Sequence, residues 1–120
     1  MTKIMVVDDE LDLRKMLGIM MKNEGYDTER AVDGSDFLEK VDSFNPDIVT
    51  LDVMMPGLET EEILEKLKKK KSKPKVILLT VVRFDRDEKR LFEQGNVVDY
   101  IKKPFDIDVL MDAVKKHEKQ

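Results

Sequence analysis

Ile4-Met5-Val6-Val7 is an unbroken apolar run that ends abruptly at Asp8-Asp9-Glu10. A strand with one wet face alternates apolar and polar residues. A run without that alternation fits a strand covered on both faces, as in a parallel sheet. The signature returns at Ile48-Val49-Thr50-Leu51, which ends at Asp52, and at Val76-Ile77-Leu78-Leu79, which ends at Thr80. Tyr26 to Val32 reads as a more polar strand. Val97-Val98-Asp99-Tyr100-Ile101 reads as a last one, followed by Lys102-Lys103-Pro104-Phe105.

Helical spacing fills the intervals. Leu13, Met16, Leu17, Met20 and Met21 recur every three or four residues, and Gly25 suits the end of that helix. The three methionines are expected as core filler. Phe37, Leu38, Val41 and Phe44 form one face of a second helix, stopped by Asn45-Pro46. A third opens at Glu59 or Thr60 and carries Ile63, Leu64 and Leu67. Lysines crowd its end, and Ser72-Lys73-Pro74 closes it. Residues 84–94 predict a weaker helix on Phe84, Leu91 and Phe92, ended by Gly95. Ile107, Leu110, Val114 and His117 define a fifth. Strict alternation of five strands with five helices predicts an α/β fold: a five-stranded parallel sheet, doubly wound as (βα)5.

Composition narrows the chemistry. The 120 residues fit one domain, and 41% hydrophobic content leaves enough for a core despite 40% charged residues. With no cysteine, disulfides, thiol catalysis and thiolate zinc sites are excluded. A single histidine, His117, speaks against a His-rich metal site or a Ser-His-Asp triad. No apolar run approaches the ~20 residues of a membrane span, and Met1-Thr2-Lys3-Ile4 opens no signal peptide, so a cytoplasmic protein is expected. Charge is uneven. Residues 1–60 carry 6 basic and 14 acidic side chains, for −8; residues 61–120 carry 16 and 12, for +4. The basic stretch Lys66, Lys68 to Lys71, Lys73 and Lys75 lacks interleaved aromatics. It reads as a solvated helix end whose cations favour the macrodipole, not as a nucleic-acid surface.

Open parallel sheets bind ligands at the carboxyl ends of their strands. There the first strand delivers Asp8, Asp9 and Glu10, the third Asp52, the fourth Thr80, and the fifth leads to Lys103. Clustered carboxylates repel one another, and a cation relieves this. An all-oxygen donor set favours a hard ion, Mg2+ or Mn2+. A carboxylate beside such an ion and a lysine can attack a phosphoryl group, with ammonium and hydroxyl meeting its oxygens. The residue types point to phosphoryl transfer onto an aspartate without saying which.

Asp8-Asp9, Leu51-Asp52-Val53-Met54-Met55-Pro56-Gly57, Leu79-Thr80 and Asp99-Tyr100-Ile101-Lys102-Lys103-Pro104-Phe105 resemble, in order, the receiver domain of two-component response regulators. Asp9 stands 43 residues before Asp52, and Thr80 and Lys103 stand 28 and 51 after it. The resemblance implies a flavodoxin-like receiver fold over 1–120, with its core at about 3–118. It implies Asp52 as phosphoacceptor, with a histidine kinase or phosphotransfer histidine as donor. Asp8, Asp9, Asp52 and the backbone carbonyl of Met54 would hold Mg2+. Thr80 and Tyr100 look like the switch pair, Lys103 like the phosphate-binding lysine, and the Lys103–Pro104 bond is expected to be cis. Met54 and Val82 would flank the approach of hydrolytic water and modulate dephosphorylation. The output is expected through the 84–118 face onto a downstream protein, or onto a second copy in a phosphorylation-dependent homodimer, without direct nucleic-acid or membrane contact.

The sequence departs from the family pattern at Val81, where a small residue is usual, at Thr60, where Gly is usual, and at Gly95-Asn96, where Gly-Ala is usual. Within the family, the chain fits either a stand-alone regulator or the excised N-terminal receiver of a DNA-binding one. A haloacid-dehalogenase-like phosphohydrolase also uses a strand-end Asp. It wants a second Asp two residues later, where Met54 stands.

Overall fold

The computed structural model describes residues 2–53, 55, 57–80, 93–94 and 96–118. Among them are strands β1 (Lys3–Val7), β2 (Asp27–Ala31), β3 (Ile48–Asp52), β4 (Lys75–Thr80) and β5 (Val97–Lys102). The helices are α1 (Leu11–Asn23), α2 (Gly34–Phe44), α3 (Thr60–Leu67) and α4 (Ile107–Glu118). Of the helix expected over 84–94, residues 84–92 lie outside the described residues, and Glu93 and Gln94 are not helical. All strands run parallel in the order β2-β1-β3-β4-β5.

The unbroken apolar runs are explained by a core on each face. Met5, Val7, Val49, Leu51, Val76 and Leu78 pack with Phe37, Leu38 and Val41 of α2 and Ile63, Leu64 and Leu67 of α3. The alternate residues Ile4, Val6, Ile48, Ile77 and Leu79 pack with Leu17 and Met21 of α1 and Leu110, Met111 and Val114 of α4. Burying side chains such as these stabilises by about 1.5–3 kcal/mol each, so the strand interiors are the main support of the sheet. Because β2 and β3 lie on opposite sides of β1, the chain reverses direction across the sheet between β1 and β3. That opens the crevice into which the ends of these strands point.

β2 is shorter than Tyr26 to Val32. The Tyr26 N–H is taken by the Met21 carbonyl at the end of α1 (3.1 Å), and the Val32 N–H by Asp36 Oδ2 of α2 (2.9 Å). Gly25, at φ 92°, closes α1 as expected, because that left-handed conformation disfavours a side chain. Met16 is not core filler; it is 45% exposed, whereas Met21 is fully buried. Gly18 is buried because Arg30 of β2 lies across it, with Cδ 3.0 Å from where a Cβ would stand. The lysine run lies mostly beyond α3, which ends at Leu67. Turns then carry the chain on through Lys69 N→Lys66 O (3.1 Å) and Lys70 N→Leu67 O (3.0 Å). Lys73 Nζ donates back to the carbonyls of Lys68 (2.6 Å) and Lys70 (2.5 Å), so one lysine serves as a cap.

The last turn of α4 is tied to the start of the sheet. Tyr26 Oη donates to Glu118 Oε2 at 2.7 Å, and Thr2 Oγ1 to Glu118 Oε1 at 3.2 Å. Burial, then the Glu118 hydrogen bond and charge, then the Glu24 charge push the Tyr26 phenol up to about 12. The folded state thus favours the neutral phenol. The stability it supplies is whole below 10.0 and is lost as pH rises through about 12. Glu118→Gln is expected to bring the phenol titration, followed by ultraviolet absorbance, back toward its ordinary range. It should also cost about 1 kcal/mol of unfolding free energy. An unmoved titration contradicts the tie.

Candidate functional site

Asp8 follows the last residue of β1, and its backbone N–H is fixed by the Ala31 carbonyl of β2 (3.2 Å). Its side chain is fully buried. Oδ1 accepts the Glu10 N–H at 2.9 Å, while Oδ2 is buried with no hydrogen-bond partner among the described residues and has Lys103 Nζ 3.5 Å away. Asp52 is the last residue of β3, buried, with Oδ1 3.3 Å from the same Lys103 Nζ. Asp9 is exposed at the rim, and carboxylate oxygens of Asp8, Asp9 and Asp52 lie within 4.8 Å of one another. Thr80 ends β4 and is buried; its carbonyl accepts the Lys103 N–H at 2.7 Å, which seats Lys103 beside the strand ends. The Lys103–Pro104 bond is cis, as expected.

Burial raises the Asp8 carboxyl above its ordinary range. The Glu10 N–H bond pulls it down, the Asp52 charge pushes it up, Lys103 pulls it down, and Asp9 pushes it up. One lysine among three close carboxylates leaves excess negative charge. Asp8 Oδ2, buried and accepting no hydrogen bond from the described residues, fits a hard divalent cation within this all-oxygen set. Asp8, Asp9, Asp52, Thr80 and Lys103 therefore meet at one end of the sheet. Tyr100 does not join them: it is 41% exposed and stands opposite Leu78 in β5. Met54, Val81 and Val82 lie outside the described residues.

A family profile described as the response regulator receiver domain matches residues 4–115. The chain belongs to this family. This receiver is 36% identical over 115 residues to sporulation initiation phosphotransferase F of Bacillus subtilis, covering 96% of this chain and 92% of that protein. It is 37% identical to the Thermotoga maritima response regulator TrrA, solved in complex with Mg2+-BeF, with a TM-score of 0.82 and coverage of 98% and 99%. It is 28% identical to the receiver domain of the Francisella response regulator 1452, with a TM-score of 0.87 and coverage of 99% and 98%. The receiver is thus a phosphoacceptor domain of two-component signal transduction, and its partner on the input side is a histidine kinase or phosphotransfer protein. Receiver domains bind Mg2+ at an acidic pocket, and this one has the cluster. Among the described residues no helix is long and apolar enough to cross a membrane.

The receiver also has supports that sequence reasoning missed. Arg14 Nη1 donates to the Asp8 carbonyl at 2.9 Å and pins the loop carrying Asp8 and Asp9 to α1. Thr60, one of the departures from the family pattern, donates its hydroxyl to the Val53 carbonyl at 3.1 Å, tying α3 to the turn after Asp52. Asn96, another departure, packs at the start of β5. Its Nδ2 donates to the Pro74 carbonyl (3.3 Å) and its own carbonyl accepts the Val76 N–H (2.7 Å). These bonds join residues that no periodicity relates, so only the residue types were visible beforehand.

Proposed function

We propose that Asp52 takes the phosphoryl group and that this receiver works as a phosphorylation-dependent protein–protein switch. The observation that carries this reading is the buried Asp52 carboxylate at the end of β3, with the Lys103 ammonium at 3.3 Å and two more carboxylates within reach. An Asp52 oxygen forms a bond to phosphorus as the bond from phosphorus to the donor imidazole breaks, and the imidazole leaves with a proton. Asp8, Asp9, Asp52 and the Met54 carbonyl would hold a divalent ion, which would supply positive charge for the phosphoryl oxygens when bound. Lys103 needs only a small movement from Asp52 Oδ1 to follow the charge onto a phosphoryl oxygen. The Thr80 hydroxyl bonds another, and its inward shift opens room for Tyr100, which stands outward here. The 84–118 face then selects a downstream protein or a second copy. A coupling of about 1–3 kcal/mol suffices for a roughly 5–150-fold change in partner affinity. The domain itself makes no contact with nucleic acid or membrane, and it acts in the cytoplasm.

The test is incubation with acetyl phosphate and Mg2+. One phosphoryl group per chain, prevented by chelator, is expected, because the product is a stored acyl phosphate. Continuous release of phosphate without a stored label contradicts this and favours a hydrolase. The stored state is expected to be long-lived, since neither Met54 nor Val82 can hold a water by a strong hydrogen bond. Met54→Asn should shorten the decay of label after donor removal at constant Mg2+; an unchanged or longer lifetime overturns that role.

A further inference from the structure

His117 is the chain's only histidine, and it is 5% exposed. It belongs to none of the site described above. From the last turn of α4 it places Nε2 3.1 Å from Asp99 Oδ2 of β5. The other oxygen, Asp99 Oδ1, accepts the backbone N–H of Tyr100 at 2.9 Å. One carboxylate thus joins the histidine to the backbone of the proposed switch residue. The strand is irregular beside it: Val76 pairs with Val97 but Ile77 with Asp99, so Val98 is an extra residue. A bulge of this kind re-aims the side chains that follow. On the far side of the ring, Nδ1 is buried with no hydrogen-bond partner among the described residues, and the His117 carbonyl accepts Lys75 Nζ at 2.7 Å.

The ring chemistry follows from these contacts. A neutral imidazole that donates from Nε2 to Asp99 leaves its next proton to Nδ1. Protonation turns a neutral hydrogen bond into an ion pair with Asp99, at the cost of a buried N–H without an acceptor. The compensating attraction depends on Asp99 staying beside the ring, and the same carboxylate is bonded to the Tyr100 N–H. The charged groups facing the histidine are Asp99 from β5, Lys75 from β4, Glu118 on its own helix, and Lys73 and Asp47 around a shared polar cavity of ≈660 Å³. Imidazole is the side chain whose ordinary charge change falls between about pH 5 and 8.

We propose that His117 and Asp99 form a proton-linked clasp that holds Tyr100 outward, so that protonating His117 opposes the phosphorylated arrangement. The inference rests on the switch reading of Tyr100 given above. Reciprocity then requires that whatever draws Tyr100 inward also makes His117 easier to deprotonate.

As the only histidine, His117 can be followed by ring NMR without any substitution, in Mg2+ alone and in Mg2+ with beryllofluoride as the probe of the loaded site. The titration midpoint is expected to be about half a pH unit lower in the loaded protein. Correspondingly, beryllofluoride should bind about threefold more weakly at pH 5.5 than at pH 8, beyond whatever pH dependence remains in His117→Asn. Asp99→Asn, which keeps an acceptor for Tyr100 N–H but not the charge, should lose the same component. Coincident midpoints in the two states overturn the clasp while the phosphoacceptor reading stands. Failure of beryllofluoride to bind the wild-type protein overturns both.

Discussion

Asp52→Asn is expected to reduce incorporation from acetyl phosphate by at least about 100-fold, the largest effect in this account. The amide keeps the size of the carboxylate but is not a nucleophile, so the step that forms the acyl phosphate is removed rather than slowed. The fold should persist. Asp52 lies at a strand end whose neighbours are held by their own bonds, Val53 N→Leu79 O at 2.9 Å and Lys103 N→Thr80 O at 2.7 Å. A weak label on a neighbouring aspartate in the variant is compatible with the account, because Lys103 also reaches Asp8. Acid-quenched incorporation beside a denaturation curve distinguishes lost chemistry from lost fold. Full stoichiometry in Asp52→Asn contradicts the assignment.

Asp8→Asn is expected to act in two opposite directions. Without divalent ions it should stabilise the protein by about 1 kcal/mol, because it removes a buried charge that faces two other carboxylates. The amide oxygen can still accept the Glu10 N–H, and the loss of the 3.5 Å contact with Lys103 offsets part of the gain. Divalent-cation affinity should fall at least about tenfold, since one of three clustered carboxylates is gone. The pH dependence has a definite sign. Burial first, with Asp52 and Asp9, raises the folded Asp8 carboxyl above 3.8. The native state therefore binds the proton more tightly than the unfolded chain. Wild-type stability declines as pH rises from 3.8 through the raised value, and the full penalty remains above it. The advantage of Asp8→Asn should accordingly be greatest at neutral pH and shrink in acid. Saturating Mg2+ should reverse the order by stabilising the wild type more than the variant. Urea denaturation with chelator and with Mg2+ measures both; a variant that is less stable in both conditions overturns the charge argument.

The fold was legible because parallel strands buried on both faces leave an unmistakable pattern. Met5 and Val7 supply one core while Ile4 and Val6 supply the other, so the strand carries no polar alternation. The pocket was legible for a related reason. Each apolar run stops at a chemically marked residue, and strand ends of a parallel sheet converge, which brought Asp8, Asp52, Thr80 and Lys103 together as expected. Helix faces were legible only in part. A three-and-four spacing cannot tell buried Met21 from half-exposed Met16 at the edge of the same stripe. The bonds that lock the elements were invisible: Tyr26 meets Glu118 across 92 residues, Asp99 meets His117 across 18, and Arg14 reaches a backbone carbonyl. Such contacts depend on how finished elements pack, and nothing local in the sequence announces them.

The most direct test of Asp52 as phosphoacceptor is chemical trapping of the labelled protein. Borohydride reduces an aspartyl phosphate to homoserine, and peptide mass spectrometry then reads which position has changed. Homoserine at position 52, formed only in the presence of donor and Mg2+, is the predicted result; homoserine at position 8 or 9 of the wild-type chain, or none at all in protein that carries label, contradicts the account.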